Sequence, residues 1–138
     1  MSFTQFLSQE FLNHLFTDPV FSPPAALHIG LSTTTPGEDG TNFTEQGASN
    51  GYVRISTVAG EWGPATNADP SSKSNTTELT FPQATGDWLT GTDFTHFGIF
   101  DATTGGNLLA FGLLGVAKPV LDGDTAKFPI GDLDITLQ

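Results

Sequence analysis

The residue types that most often perform catalysis are few in this sequence and stand far apart. Its three histidines are His14, His28 and His96, and no two of them have the short spacing of a metal-ligand pair. Cysteine is absent, which excludes a thiol nucleophile and a thiolate zinc site. The glycines form neither a G-x-S-x-G nucleophile elbow nor a phosphate-binding loop. The sequence therefore indicates a protein that is not an enzyme and has no cofactor.

Carboxylates are the one abundant reactive group. Two of them could act as the acid and the nucleophile of a glycosidase, but no Asp or Glu stands in the apolar surroundings that raise the pKa of such an acid. The loop that holds Glu38, Asp39, Asn42 and Glu45 is rich in oxygen ligands and is a weak candidate for calcium, although its spacing is not that of an EF-hand. We expect this loop to be solvated, with no bound metal.

The two tryptophans could contact a sugar. Trp62 lies in a Gly/Pro-rich segment and Trp88 follows Gly86-Asp87. A flat indole beside Asp or Asn can stack on a pyranose while the polar groups bond its hydroxyls. We favour the alternative, in which each ring closes one end of the core, because large aromatic side chains are usually buried. Glycan binding requires at least one exposed ring.

The charge balance narrows the class of partner. Four Lys and Arg against fifteen Asp and Glu give a formal net charge of −11, with a sequence pI near 4.1. Such a chain repels the phosphates of nucleic acid and anionic lipid, so we expect neither as a partner. The first residues lack the basic start of a signal peptide, and no apolar run reaches transmembrane length. We expect a protein made in the cytoplasm of its host.

The N-terminal segment predicts an amphipathic helix. Its apolar residues recur every three or four positions, Ser2 and Gln5 fit a capping box, and Asp18-Pro19 is a natural stop. Two uses of the apolar face stay open, packing on the chain's own domain or docking on a neighbouring subunit. We therefore treat residues 1–18 as a helix or docking arm. The predicted docking residues are Phe3, Phe6, Leu7, Phe11, Leu15 and Phe16.

From residue 19 to 138 the pattern changes to the alternation of strands. Leu27, Ile29 and Leu31 alternate, as do Val53 and Ile55, and similar runs follow at 79–81 and 133–137. The segments 94–100 and 107–114, joined by a Gly-Gly turn, predict a central hairpin. The long segments 36–51 and 60–74 predict functional loops. Together these features predict a mainly β protein, an antiparallel β-sandwich or jelly-roll-like domain with one N-terminal helix.

Several stretches resemble a known family. GLSTTTP, THFGIFDATTGGNLLA and GDLDITL are the most specific, and the similarity extends over nearly the whole chain. The sequence resembles small virion proteins of tailed bacteriophages that are commonly labelled phage tail fibre proteins. The resemblance implies a structural role in the virion and brings no catalytic residues with it.

The position in the virion is a separate expectation. One short acidic domain without fibrous repeats or heptads is too small for a fibre shaft. Our first interpretation is a capsid decoration or cement protein that binds the major capsid protein of the assembled lattice. The alternative is a component of the tail fibre, tail tip or baseplate that contacts tail proteins. One form of this alternative has a glycan-binding site. In either position we expect a homo-oligomer.

Overall fold

The computed structural model describes residues 1–17 and 20–137 and has a mainly β fold with antiparallel strands, as predicted. The elements in chain order are β1 (Ser2–Phe3), α1 (Gln5–Phe16), β2 (Leu27–Ser32), β3 (Ile55–Thr57), a 3₁₀ turn (Ala59–Glu61), β4 (Ser71–Ser74), β5 (Leu79–Thr80), β6 (Phe94–Phe100), β7 (Leu108–Lys118), β8 (Lys127–Phe128) and β9 (Asp134–Leu137). Within the described residues no helix has the length and apolarity needed to cross a bilayer.

A five-stranded sheet with the order β1-β7-β6-β2-β3 forms the main layer. Its centre is the predicted hairpin of β6 and β7. Asp101 closes the turn of this hairpin, since its carboxylate accepts from the backbone N–H and the side-chain amide of Asn107 at 2.7 and 2.8 Å. The bonds stabilise the turn by satisfying groups that the ladder leaves unpaired.

The main core lies on one face of this sheet, and Phe100, Leu108 and Phe111 form a second, smaller cluster with Phe43. Ile29 and Leu31 of β2 stand opposite Ile99 and Phe97 of β6, so all four side chains point to the same side. The short ladder of β5 and β8 lies over them, and Phe128 of β8 meets Phe97 edge to face with ring centroids 6.1 Å apart. The arrangement is sandwich-like. The second layer is split into two short ladders, β5-β8 and β4-β9, instead of one continuous sheet.

Three local features differ from the sequence prediction. Val53 is 53% exposed while Ile55 is buried, because β3 starts only at Ile55. The segment 60–74 is not wholly a loop, since β4 pairs with β9 at its end. The helix starts at Gln5 with Thr4 as its N-cap, because Ser2 and Phe3 pair with β7 and cannot form a capping box. The predicted stop at Asp18-Pro19 lies outside the described residues.

Candidate docking surfaces

The apolar side chains of α1 are exposed to solvent, except that of Leu7, which is half-buried. None of its twelve residues, all of which the structure describes, is buried. We call Phe11, Leu12, Leu15 and Phe16 the aromatic face; these side chains are 49, 55, 57 and 77% exposed. Of the six predicted docking residues, Phe3 and Leu7 are half-buried and the other four are exposed. Of the predicted docking residues, only Phe3 and Leu7 therefore pack partly against the chain's own domain.

The start of the helix is fixed firmly to the sheet. Thr4 is fully buried; its N–H donates to the carbonyl of Leu109 at 2.9 Å and its hydroxyl donates to the carbonyl of Leu108 at 2.6 Å. The next backbone N–H, that of Gln5, donates to the carbonyl of Glu38 at 2.7 Å. Residues 2–4 therefore belong to the sheet, and a division of the chain after residue 18 stays a prediction. The bonds set the direction in which α1 leaves the domain.

An apolar groove lies beside the start of the helix. We call it the helix groove; it has a volume of about 370 Å³ and is lined by Phe3, Leu7, Phe21, residues 23–27, Trp62 and the sheet residue Ile99, among others. Lys73 is the one charged residue among those of the described chain that line it. Apolar surface of this kind favours contact with another apolar surface over contact with water.

A second groove follows the far half of β7. We call it the strand groove; its volume is about 600 Å³, and it lies between residues 113–118 of β7 and the facing segment 124–129, with Phe94 and Phe97 at its floor. The β7 side chains Leu113 and Val116 are 73 and 66% exposed. Only Leu113 and Lys118 of this half have partners on β6, because the register shifts between them, and β1 pairs only with Ala110 and Phe111.

The tryptophans have different environments. Trp88 is 1% exposed and its indole N–H donates to the carbonyl of Asn50 at 2.7 Å. A ring so buried offers no face on which a sugar could stack. Trp62 is half-buried in the helix groove, and its N–H donates to the Thr57 hydroxyl at 3.1 Å.

Three of the four weak calcium candidates, Asp39, Asn42 and Glu45, use their side chains in other contacts. Glu45 forms an ion pair with Arg54, whose side chain is 4% exposed, and also accepts from the Tyr52 hydroxyl at 2.8 Å. Asp39 accepts from the hydroxyl of Thr41 in its own turn, and this bond lowers the pKa of Asp39. The Asn42 amide donates to a backbone carbonyl at 2.7 Å. In the described part of the chain, no three His, Asp or Glu side chains could share a metal ion.

The predicted loop 36–51 packs on the sheet instead of extending into solvent. Gly30 and Gly98 stand opposite each other on β2 and β6, and Phe43 lies over this pair. A Cβ at Gly98 would collide with the Phe43 ring, and a Cβ at Gly30 would crowd the Glu45 carboxylate and the Tyr52 hydroxyl at 3.0 and 3.1 Å, so the two glycines create the space for this loop. Arg54 stacks on the Phe100 ring at 3.5 Å from its centroid, which joins the loop, the sheet and the hairpin turn. Neither Arg54 nor Phe43 was predicted as a site residue from the sequence. The available signal for Arg54 was that it is the single arginine of an acidic chain.

The histidines do not converge. His14 on the helix accepts from the backbone N–H of Phe21 at 3.2 Å. His28 bonds the Ser56 hydroxyl at 2.8 Å, and His96 bonds the hydroxyl of Thr95 at 2.8 Å. Burial lowers the pKa of His96, which favours its neutral form at physiological pH. Each histidine thus has a local structural contact.

Comparison with known proteins adds one finding. A family model described as "Podophage GP4 fiber I protein gp80" matches residues 2–136, which is nearly the whole chain. No curated protein matches the chain. The family match confirms the resemblance to phage tail-fibre-type proteins that was derived from the sequence.

Proposed function

Because the chain belongs to the family described as Podophage GP4 fiber I protein gp80, we propose that it is a structural part of a phage fibre, attached to its neighbour by the aromatic face of α1. The family indicates a structural protein of the virion. The finer statement, attachment through the helix, depends on one observation, the exposure of four large apolar side chains on a helix whose start is bonded into the sheet.

The aromatic face has the properties of a helix that binds in a groove. Its side chains follow the helical spacing of anchor residues, and burial of one large apolar side chain contributes about 1.5–3 kcal/mol. Thr4 fixes the base of the helix, so little conformational entropy is lost when the far end binds. These features support attachment to a groove on a neighbouring virion protein.

The fibre interpretation replaces our first interpretation as the favoured one. The name of the matching family refers to a fibre, which favours the tail over the capsid surface. A capsid decoration protein would use the same aromatic face on the major capsid protein, and it would stabilise the lattice by binding only the assembled state. In both cases the protein acts by binding, and we propose no catalytic step for it.

Counting the protein in virions tests the proposal. Purified particles are digested, and the chain is quantified by mass spectrometry against the major capsid protein and against one tail protein of known copy number. In parallel, gold-labelled antibodies against the chain locate it by electron microscopy. A fibre component predicts a small fixed number of copies per particle and labelling at the tail.

Two outcomes of this experiment would contradict the fibre proposal. A ratio to the major capsid protein near one to one or one to three, with label over the whole head, would overturn the fibre proposal in favour of capsid decoration. Absence of the chain from purified particles would overturn both structural roles.

A further inference from the structure

The turn at residues 49–52 contains the one Asn-Gly pair of the sequence. The N–H of Tyr52 donates to the carbonyl of Ser49 at 3.0 Å, and the central residues Asn50 and Gly51 have φ angles of 52° and 77°. Positive φ at both central positions is typical of a type I′ turn, for which Asn-Gly is a preferred pair. Both residues are exposed, and the Gly51 N–H donates to no residue that the structure describes. Water therefore has free access to this peptide bond.

The same turn supports the core residue Trp88. The carbonyl of Asn50 accepts from the indole N–H of Trp88 at 2.7 Å and from the backbone N–H of Thr85 at 3.0 Å. The side-chain amide of Asn50 donates to the carbonyl of Asp87 at 2.8 Å. Trp88 meets the Tyr52 ring edge to face, with ring centroids 5.0 Å apart. One exposed asparagine is thus bonded directly to a fully buried side chain.

Asparagine followed by glycine can react within its own chain. The backbone nitrogen of Gly51 attacks the side-chain carbonyl carbon of Asn50, a succinimide ring forms, and the amide nitrogen leaves as ammonia with the proton of the Gly51 N–H. Water then opens the ring at either of its two carbonyls, which leaves aspartate or isoaspartate at position 50. One water is consumed and one ammonia is released, and no oxidant or reductant is needed. Glycine favours the attack because it has no Cβ to obstruct it.

We propose that Asn50 is a site of spontaneous deamidation and that the modification weakens the attachment of the turn to Trp88. The new carboxylate lacks the N–H that Asn50 donates to the carbonyl of Asp87, so two acceptors face each other. Isoaspartate also directs the main chain through the former side chain. The added methylene displaces the carbonyl that accepts from the indole of Trp88. Either product adds one negative charge to a chain whose net charge is already −11.

Asn42 is a matched comparison within the same chain. It is exposed, its φ angle is 59°, and its side-chain amide donates to the carbonyl of Thr35 at 2.7 Å. The residue that follows it is Phe43, whose side chain obstructs the attack on the Asn42 amide. Because the two asparagines have similar backbone conformations and similar bonds, the following residue determines the difference in rate.

Peptide mapping of the aged protein tests the site. The purified full chain is incubated at physiological temperature in mildly alkaline buffer and digested by a protease that cleaves after glutamate, which separates Asn42 from Asn50 at Glu45. Deamidation adds about one dalton to a peptide. We expect the Asn50 peptide to acquire this mass at least about tenfold faster than the Asn42 peptide. Asn50→Gly should abolish the gain, since glycine keeps the positive φ of the turn and has no amide.

Two results of the mapping would overturn the site. One is an equal rate of mass gain in the Asn50 and Asn42 peptides. The other is a mass gain that persists in the same peptide of Asn50→Gly, because the reacting amide would then be another one.

A pair of variants tests the structural consequence separately. Asn50→Asp reproduces one product, and we expect the indole N–H of Trp88 to exchange with solvent at least about threefold faster, measured by NMR. Asn42→Asp adds the same charge and removes a similar amide bond, and it should leave this exchange unchanged. Equal exchange in the two variants would overturn the effect assigned to Asn50. None of these results bears on the copy number in virions, so the fibre proposal is judged independently.

Discussion

At the residue scale, the contact between Arg54 and Glu45 is the strongest polar anchor of loop 36–51. Arg54 bonds both oxygens of Glu45 and donates to the carbonyls of Ala102 and Gly105 at 2.9 and 2.8 Å. Removal of one member of a buried pair leaves an uncompensated charge, which costs about 3–5 kcal/mol. We therefore expect Arg54→Met to lower the free energy of unfolding by several kcal/mol, measured by urea denaturation.

A surface ion pair supplies the control for this prediction. Lys127 and Glu78 also form an ion pair, but their side chains are 52 and 46% exposed. Solvent screening limits such a pair to about 0–1 kcal/mol, so Lys127→Met should have a small effect. Equal losses for the two variants would contradict the role assigned to Arg54.

The single tyrosine gives the protein a defined response to alkaline pH. Burial, followed by the negative charge of Glu45, raises the pKa of Tyr52 well above its ordinary value of 10.0. The unfolded chain releases this proton first, so the stability that Tyr52 contributes is complete below about pH 10 and is lost as the pH rises above it. We expect the free energy of unfolding to fall by up to about 1.4 kcal/mol per pH unit from this group.

Two measurements isolate the tyrosine from other groups that titrate at high pH. Ultraviolet absorbance of tyrosinate follows Tyr52 alone, because the chain has one tyrosine. In the native protein this absorbance should appear only at or beyond the onset of unfolding. Tyr52→Phe should remove part of the pH slope, and an unchanged slope would show that Tyr52 ionises normally in the folded state.

At the element scale, the alternation of apolar residues predicted the central sheet well. β2, β6 and the first half of β7 stand where the pattern placed them, since β2 and β6 are buried along nearly their whole length and β7 is buried from Leu108 to Gly112. The sequence could not predict β1, because Ser2 and Phe3 pair with residues more than a hundred positions away. β4 was missed because SSKS has no apolar alternation and depends on β9 for its strand geometry.

The candidate docking helix was predicted as an element, but its environment was not. The spacing of Phe11 and Leu15 gives an apolar face and does not state what covers it. The direction of the helix is set at its base, where the Thr4 hydroxyl donates to the carbonyls of Leu108 and Leu109. This direction leaves the aromatic face pointing away from the domain. The environments of Trp62 and Trp88 could not be predicted either, because similar local sequences lead to one half-buried and one fully buried ring.

Polar substitutions on the helix separate docking from folding. Phe11→Gln with Leu15→Gln should abolish or strongly reduce incorporation into virions, because both side chains lie in the aromatic face. Since they are 49 and 57% exposed, the free energy of unfolding should change by only about 0.5 kcal/mol per substitution. Incorporation is measured by quantitative mass spectrometry of particles from a complemented deletion phage.

Two equally exposed residues serve as the control for the helix variant. Val53 and Leu137 are 53 and 50% exposed and lie outside the helix. Val53→Gln with Leu137→Gln should leave incorporation unchanged. Normal incorporation of the helix variant would refute docking by α1, whereas equal loss in both variants would indicate a nonspecific effect. Point variants are preferable to removal of residues 1–18, since that deletion would also expose the β7 edge that β1 covers.

At the scale of the whole molecule, the charge of −11 governs association between copies. Two such chains with centres about 35 Å apart repel each other by about 14 kcal/mol in water without salt. At 0.1 M salt the Debye length is about 10 Å, so most of this repulsion is screened. Exposed ion pairs between two copies would contribute at most about 1 kcal/mol each and weaken in salt as well.

The repulsion between the two net charges exceeds the attraction of the ion pairs, so it determines the sign of the salt dependence. We expect self-association of the purified chain to strengthen as salt rises from low to physiological concentration, measured by sedimentation velocity in a salt series at fixed pH. The effect should level off once the Debye length is short compared with the size of the domain. Self-association that weakens steadily with added salt would mean that local ion pairs outweigh the net charge of the chain, and it would contradict this prediction.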